Sequence, residues 1–353
     1  MLDADAPTTF PMSQLHTLLE PYSNEIGRAL HTFIRKNATD GARLWDAVAY
    51  HLGWVDEEFQ PSLAPKGKRI RSALCLMACE AVGGQWEMAI PGAMAVELVH
   101  EFSLVHDDIQ DADRLRRHRP TLWAVIGQPQ AITAGDALFA LAQLALFEDY
   151  YKDVPLERQM LAARRLNEAT IALAEGQHLD LSFEGRDEVD PADYLRMIRG
   201  KTASLLAASA EIGGVLALAS LADCAALHAM GLALGMAFQM QDDLLGLWGD
   251  PARTGKAVGA DLRAGKKSLP VSYALTQPNS DRLRELYRAP LSNDSEVDEA
   301  LRLIERSGAQ RYARRLMDDY YAAARHHLHS ISAAAGRRAP LETVIDLLEI
   351  RDH

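Results

Sequence analysis

Apolar residues recur at three- and four-residue spacing along most of the chain, with Ala and Leu the dominant types. Residues 138–146 and 205–218 show the pattern clearly, while strand-like alternation of useful length is hard to find. Breaks fall where turn chemistry predicts them, at Gly83-Gly84, Gly127-Gln128-Pro129, Val154-Pro155, Asp190-Pro191, Gly249-Asp250-Pro251 and Gln277-Pro278-Asn279. Asp190 followed by Pro191 and Asp193 predicts a helix N-cap with proline in the first turn. No low-complexity linker and no fixed-period repeat interrupts the series. The pattern predicts one all-α domain over residues 13–350, with residues 1–12 and the last few loose.

Composition narrows the class. The 353 residues are 48% hydrophobic and 24% charged, enough apolar material for a large core and too little charge for a disordered chain. No uninterrupted apolar run approaches the roughly 20 residues that span a bilayer. The opening MLDADAPTTF is acidic, which argues against a secretory signal. Cys75, Cys79 and Cys224 match no zinc spacing and read as small buried hydrophobes in a reducing cytoplasm. A net charge of -12 disfavours nucleic acid and anionic lipid as partners. Against that acidity stand three basic segments, at 66–71, 114–119 and 253–267, which suggest discrete anion pockets.

Two helical segments end in carboxylates. In 97–111, Asp107 and Asp111 are four apart and share a face, with no cation in the run to neutralise them. The turns before them are apolar (Leu98, Val99, Phe102, Leu104, Val105), so a hard divalent cation explains the pair better than a solvated helix end does. Residues 235–246 repeat the theme with Asp242 and Asp243, and Gln239 lies three residues before Asp242. Two such helices facing one another would hold magnesium across one cavity. Arg and Lys donors around that cavity would then offset the charge of bound diphosphate.

These residues resemble the polyprenyl (isoprenyl diphosphate) synthase family, over nearly the whole chain and in a specific order. GKRIR at 67–71 is similar to its basic opening motif, and 97–100 with 103–111 to its first aspartate-rich motif. Arg116-Arg117 followed by Pro120-Thr121 is similar to the arginine pair after it. Ala134-Gly135-Asp136, Gly176-Gln177 with Asp180, and Gly200-Lys201-Thr202 match later landmarks. FQMQDD at 238–243, Thr254-Gly255-Lys256 and Gly259-Ala260-Asp261 with Lys266 complete the series.

The resemblance implies an all-helical bundle of the isoprenoid synthase type around a central catalytic cavity. It implies magnesium, about three ions per site, and a homodimer. Asp107 and Asp111 would ligate metal with Asp108 in support, and Asp242 would hold a further ion with Asp243 nearby. Lys68, Arg71, His100 and Arg117 would clamp isopentenyl diphosphate. Arg116, Lys201 and Lys256, with Lys266, would bind the allylic diphosphate. Thr202 and Gln239 would line the place where a carbocation forms. The implied reaction ionises the allylic substrate, adds isopentenyl diphosphate and loses a proton to pyrophosphate.

Two positions depart from the family's pattern. Gly246 stands where a third aspartate usually follows Asp242 and Asp243, which predicts rearranged binding of one metal ion. His118 stands where glycine is common, and a solvent-facing side chain is expected. Small Ser103 beside bulky Phe102, four and five residues before Asp107, resembles the geranylgeranyl diphosphate synthases. A class I terpene cyclase, a farnesyl diphosphate synthase and a non-catalytic subunit are the alternatives. The second cationic set speaks against a cyclase, and the intact aspartates speak against a silent subunit.

Overall fold

The structure is a computed structural model that describes residues 11–62, 67–148, 153–184, 186, 188–249, 259–288, 291 and 293–350. Helix α1 (Pro11–Asn37) already begins within the segment expected to be loose, whose other residues lie outside that range. α2 (Arg43–His51) and α3 (Ile70–Ala81) follow, and a 3₁₀ turn (Trp86–Ala89) runs into α4 (Ile90–Gln110). A two-stranded hairpin pairs Leu115 with Pro120 and Arg116 with Arg119. Beyond it come α5 (Leu122–Ile126), α6 (Gln128–Ala145), α7 (Leu156–Glu184) and α8 (Pro191–Ile198). The expected cap at α8 forms, with the Asp190 side chain accepting from the Ala192 amide.

A π-helical turn (Arg199–Ala203) leads into α9 (Ser204–Leu216), all of whose residues are buried, and then into α10 (Leu221–Trp248). The remainder comprises α11 (Ala260–Arg263), α12 (Leu269–Leu275), α13 (Asp281–Leu286), α14 (Asp294–Arg306), α15 (Ala309–Ser330) and α16 (Ala335–Glu349). One core cluster joins α1, α2, α3, α4, α6, α7 and α9, and a second joins α1, α3, α9, α10, α15 and α16. The central helices approach closely because small residues line their contacts. A β-carbon on Gly231 would stand 2.6 Å from the Leu206 carbonyl oxygen.

Two helical stretches, Trp86–Gln110 and Leu221–Trp248, are apolar and long enough to cross a membrane by length and composition, which inspection for unbroken apolar runs missed. α4 packs into the first core cluster and α10 chiefly into the second, and both carry the aspartates. Their apolar character is therefore the mark of core helices that deliver charge at one end.

Candidate active site

α4 is apolar and buried through its first turns, then presents Glu97, His100, Glu101, Asp107 and Asp108, with Asp111 as its C-cap. These positions fall on neighbouring faces at helical spacing. Arg116, on the hairpin after α4, donates from Nε to Asp108 Oδ1 at 2.5 Å, and its Nη2 lies 3.6 Å from Asp107 Oδ2. Asp108 is buried and committed to that arginine, so it braces the hairpin while Asp107 remains partly open. The hairpin turns through Arg117 and His118, both left-handed at φ 51° and 63°, as a two-residue turn of the mirror type requires. The side chain of His118 faces solvent, as expected, and the glycine preference at that position follows from its backbone.

Lys201 sits in the π-turn, a geometry found often at functional sites. Its Nζ lies 3.2 Å from Asp107 Oδ1 and 2.6 Å from Asp180 Oδ2 of α7. Two glycines allow this approach. A β-carbon on Gly200 would meet the Ala172 carbonyl oxygen at 2.5 Å, and one on Gly176 would overlap the Lys201 backbone. The landmarks at 176–180 and 200–202 are thus the two halves of one contact. Asp180 entered the sequence reading only as a landmark, and the structure makes it a member of the site.

The neighbouring Thr202 donates to Gln239 Oε1 on α10 at 2.8 Å, and Gln239 Nε2 donates to Asp243 Oδ1 at 3.2 Å. Asp243 also accepts from the Tyr194 hydroxyl and, at 3.1 Å, from the Leu269 amide. Burial pushes its carboxyl up to about 7 despite those donors. Expected beside a metal, Asp243 instead faces inward and fastens α8, α10 and α12 together. Asp242, its neighbour, lies near enough to Arg71 of α3 for its charge to act on that guanidinium.

Arg71 begins the second half of the site. It is half-buried, its Nη1 lies 3.4 Å from His100 Nε2, and its Nε is shielded without a hydrogen-bond partner. Burial, then the charge of Arg71, hold His100 well below the usual imidazole range. A guanidinium can only donate, so in this contact Nε2 accepts from Arg71 and a neutral ring carries its proton on Nδ1. Lys68, Arg71, His100 and Arg117 line a common recess, which brings together all four residues expected at one diphosphate. Gly67 makes room there, since a β-carbon would stand 2.6 Å from Arg117 Nη2.

The recess rests on acids that sequence reasoning left without a role. Glu97 accepts from Ser72 Oγ at 2.8 Å and lies 3.6 Å from Arg69 Nε. Glu101 Oε2 lies 2.9 Å from His51 Nε2. Burial alone would raise Glu101, yet the bond from His51 and the charges of His51 and Arg117 bring it down to about 2. Arg69 caps α3 in a left-handed conformation at φ 51°. Acids recurring at 97, 101 and 108 on a helix otherwise buried were the available signal.

The carboxylates of α4 are poised for a cation. Burial, then the charge of Asp107, push Asp111 up to about 6, with Lys201 and Lys266 opposing. Such acceptor-only, mutually repelling oxygens suit a hard divalent ion. Among the described residues no three of His, Cys, Asp and Glu already enclose a metal site. Lys256, expected at the allylic diphosphate, lies outside the described residues.

An all-helical core, two aspartate-bearing helices, a basic recess and a lysine joining α4 to α7 are the architecture of an isoprenoid synthase. The chain belongs to the polyprenyl synthetase family, whose model matches residues 53–304. It is 42% identical over 320 residues to a (2E,6E)-farnesyl diphosphate synthase of Mycobacterium tuberculosis, covering 88% of this chain and 85% of the relative. A geranylgeranyl diphosphate synthase of the same organism is 40% identical over 326 residues, covering 92% and 91%. The crystal structure of a polyprenyl synthetase from Streptomyces coelicolor A3(2) superposes with TM-score 0.86 at 37% identity, covering 94% of this chain and 98% of that one.

Proposed function

We propose that this protein is a magnesium-dependent trans-prenyltransferase that joins isopentenyl diphosphate to an allylic diphosphate and makes geranylgeranyl diphosphate. The observation that carries this reading is the pairing of two different anion holders. The recess of Lys68, Arg71, His100 and Arg117 is cationic, while Asp107, Asp111 and Asp180 form a carboxylate cluster that Lys201 bridges. A cyclase ionises one diphosphate and has no use for the first.

In this reading Arg71, Lys68 and Arg117 fix the diphosphate of isopentenyl diphosphate through charge-assisted bonds. His100 stays neutral and presents one N–H. Asp107 and Asp111, with Asp242 of α10, would hold magnesium, which would supply charge opposite the allylic diphosphate. Lys201, already held between Asp107 and Asp180, and Arg116 stabilise the departing pyrophosphate. The allylic C–O bond breaks, the isopentenyl double bond attacks the cation, and pyrophosphate takes the proton lost from the adduct. Thr202 Oγ1, bonded to Gln239, offers lone pairs rather than a proton to the cation.

Ser103 supports the longer product because it is small and its hydroxyl is folded back onto the His100 carbonyl at 2.7 Å. A farnesyl product is the second reading. The relative of that name supports it, as does the Phe102 ring, which packs 5.3 Å from Phe139 and could close the cavity. Exposed Leu156, Met160 and Ile171 fall within about 60° of arc on α7 and support a homodimer through that face. Three free, buried cysteines support a cytoplasmic location. Incubation of pure protein with magnesium, isopentenyl diphosphate and geranyl or farnesyl diphosphate tests the reading. A C20 diphosphate is expected, a C15 end product favours the second reading, and released hydrocarbon would overturn both.

A further inference from the structure

The second aspartate run closes on Gly246, one helical turn beyond Asp242 on α10, and the structure shows what fills the space of the missing third carboxylate. A β-carbon added at Gly246 would run into the Oδ2 and Cγ atoms of Asp261. The carboxylate of Asp261 therefore lies against the helix where a side chain at 246 would begin. Its placement is built in. Gly259, left-handed at φ 69°, turns the chain into α11, and Leu262 is buried beside Leu247 of α10 in a satellite apolar cluster. The Lys266 amide donates to the Asp261 carbonyl at 2.9 Å and closes the short helix. The charge of Asp261 is felt by Asp243 and by Tyr287, whose hydroxyl is out of solvent and has no hydrogen-bond partner.

We propose that Asp261 supplies, from a separate segment, the acidic group that Gly246 lacks, and completes with Asp242 the metal-holding face of α10. The inference rests on the metal-dependent reading given above. A carboxylate one turn from Asp242 can accept from metal-bound water, and loss of such a partner usually weakens metal affinity about 10–100-fold. The two positions are coupled sterically. Gly246 must stay bare for Asp261 to sit where it does, so Gly246→Ala displaces the carboxylate without touching its chemistry.

Calorimetric titration of the whole protein with Mn²⁺ in the presence of inorganic pyrophosphate tests this. Asp261→Asn and Gly246→Ala should each weaken the Mn²⁺ bound at the α10 face about tenfold or more, with helical circular dichroism unchanged. The double change Gly246→Asp with Asp261→Ala, which moves the carboxylate onto α10, should restore most of that affinity. Wild-type affinity in Asp261→Asn would overturn the proposal, and so would failure of the double variant to regain binding. Absence of Mn²⁺ binding by the wild-type protein would instead overturn the metal-dependent reading itself.

Discussion

Lys201 stands 3.2 Å from Asp107, joining the π-turn that precedes α9 to the end of α4. In the proposed reaction this contact sets the lysine that would meet a departing pyrophosphate beside the carboxylate that would hold its metal. Asp107→Ala would remove the proposed metal-holding oxygens and leave the lysine paired with Asp180 alone. Turnover should fall about 10²–10³-fold, the scale of losing one preorganised electrostatic partner. Steady-state assay at saturating magnesium, with far-UV circular dichroism to confirm the fold, checks it. Unchanged turnover would remove Asp107 from the site.

Arg71 and His100 share the recess proposed for the second diphosphate. Arg71→Ala deletes a charge-assisted donor worth about 1.5–3 kcal/mol. KM for isopentenyl diphosphate should rise roughly 10–150-fold while KM for the allylic substrate stays put. Equal rises in both would mean that the two anion holders are not separate.

Asp111 sets a pH dependence. With its carboxyl raised to about 6 in the folded protein, magnesium must displace a proton below that pH. Apparent magnesium affinity should drop as pH falls through 6, and Asp111→Asn should weaken affinity at every pH and flatten the slope. The sign for stability is opposite. A raised carboxyl favours the metal-free fold at low pH, and that contribution is lost as pH rises from about 4 through 6. Thermal midpoints at pH 5 and 8 should therefore show the metal-free wild type losing ground to Asp111→Asn.

Phe102 packs against Phe139 of α6 and edge-on to His106. Phe102→Ala and Phe139→Ala should each lengthen the product by at least one isoprene unit, read by mass spectrometry of the diphosphates. An unchanged product from both would put the cavity floor elsewhere.

His118 holds a left-handed backbone that costs a non-glycine residue about 1–2 kcal/mol. His118→Gly should raise the thermal midpoint slightly, the relief being partly offset by glycine's greater freedom in the unfolded chain. A lowered midpoint would show that the imidazole itself stabilises the hairpin.

The helical architecture was legible because core helices carry a periodic apolar signal, and motif spacing anticipated that Lys68, Arg71, His100 and Arg117 share one recess and that Asp107 and Asp111 close one helix. The sequence did not disclose which aspartate of each adjacent pair turns inward. Asp108 and Asp243 look like their neighbours until Arg116, Tyr194 and Leu269 are seen to claim their oxygens. Asp180 and Asp261 were legible only as landmarks, since their placement depends on contacts distant in the chain, with Lys201 and against Gly246. His51, Ser72 and Arg69, which hold Glu101 and Glu97, come from other helices and carry no local pattern that reveals them.

Anomalous scattering from Mn²⁺ in crystals grown with inorganic pyrophosphate tests most directly whether α4 and α10 share one metal-bridged cavity. The account predicts manganese peaks at Asp107 and Asp111 and a further peak at Asp242, all touching the same pyrophosphate. A pyrophosphate bound with no manganese at Asp242, or peaks separated by packed protein, would contradict it.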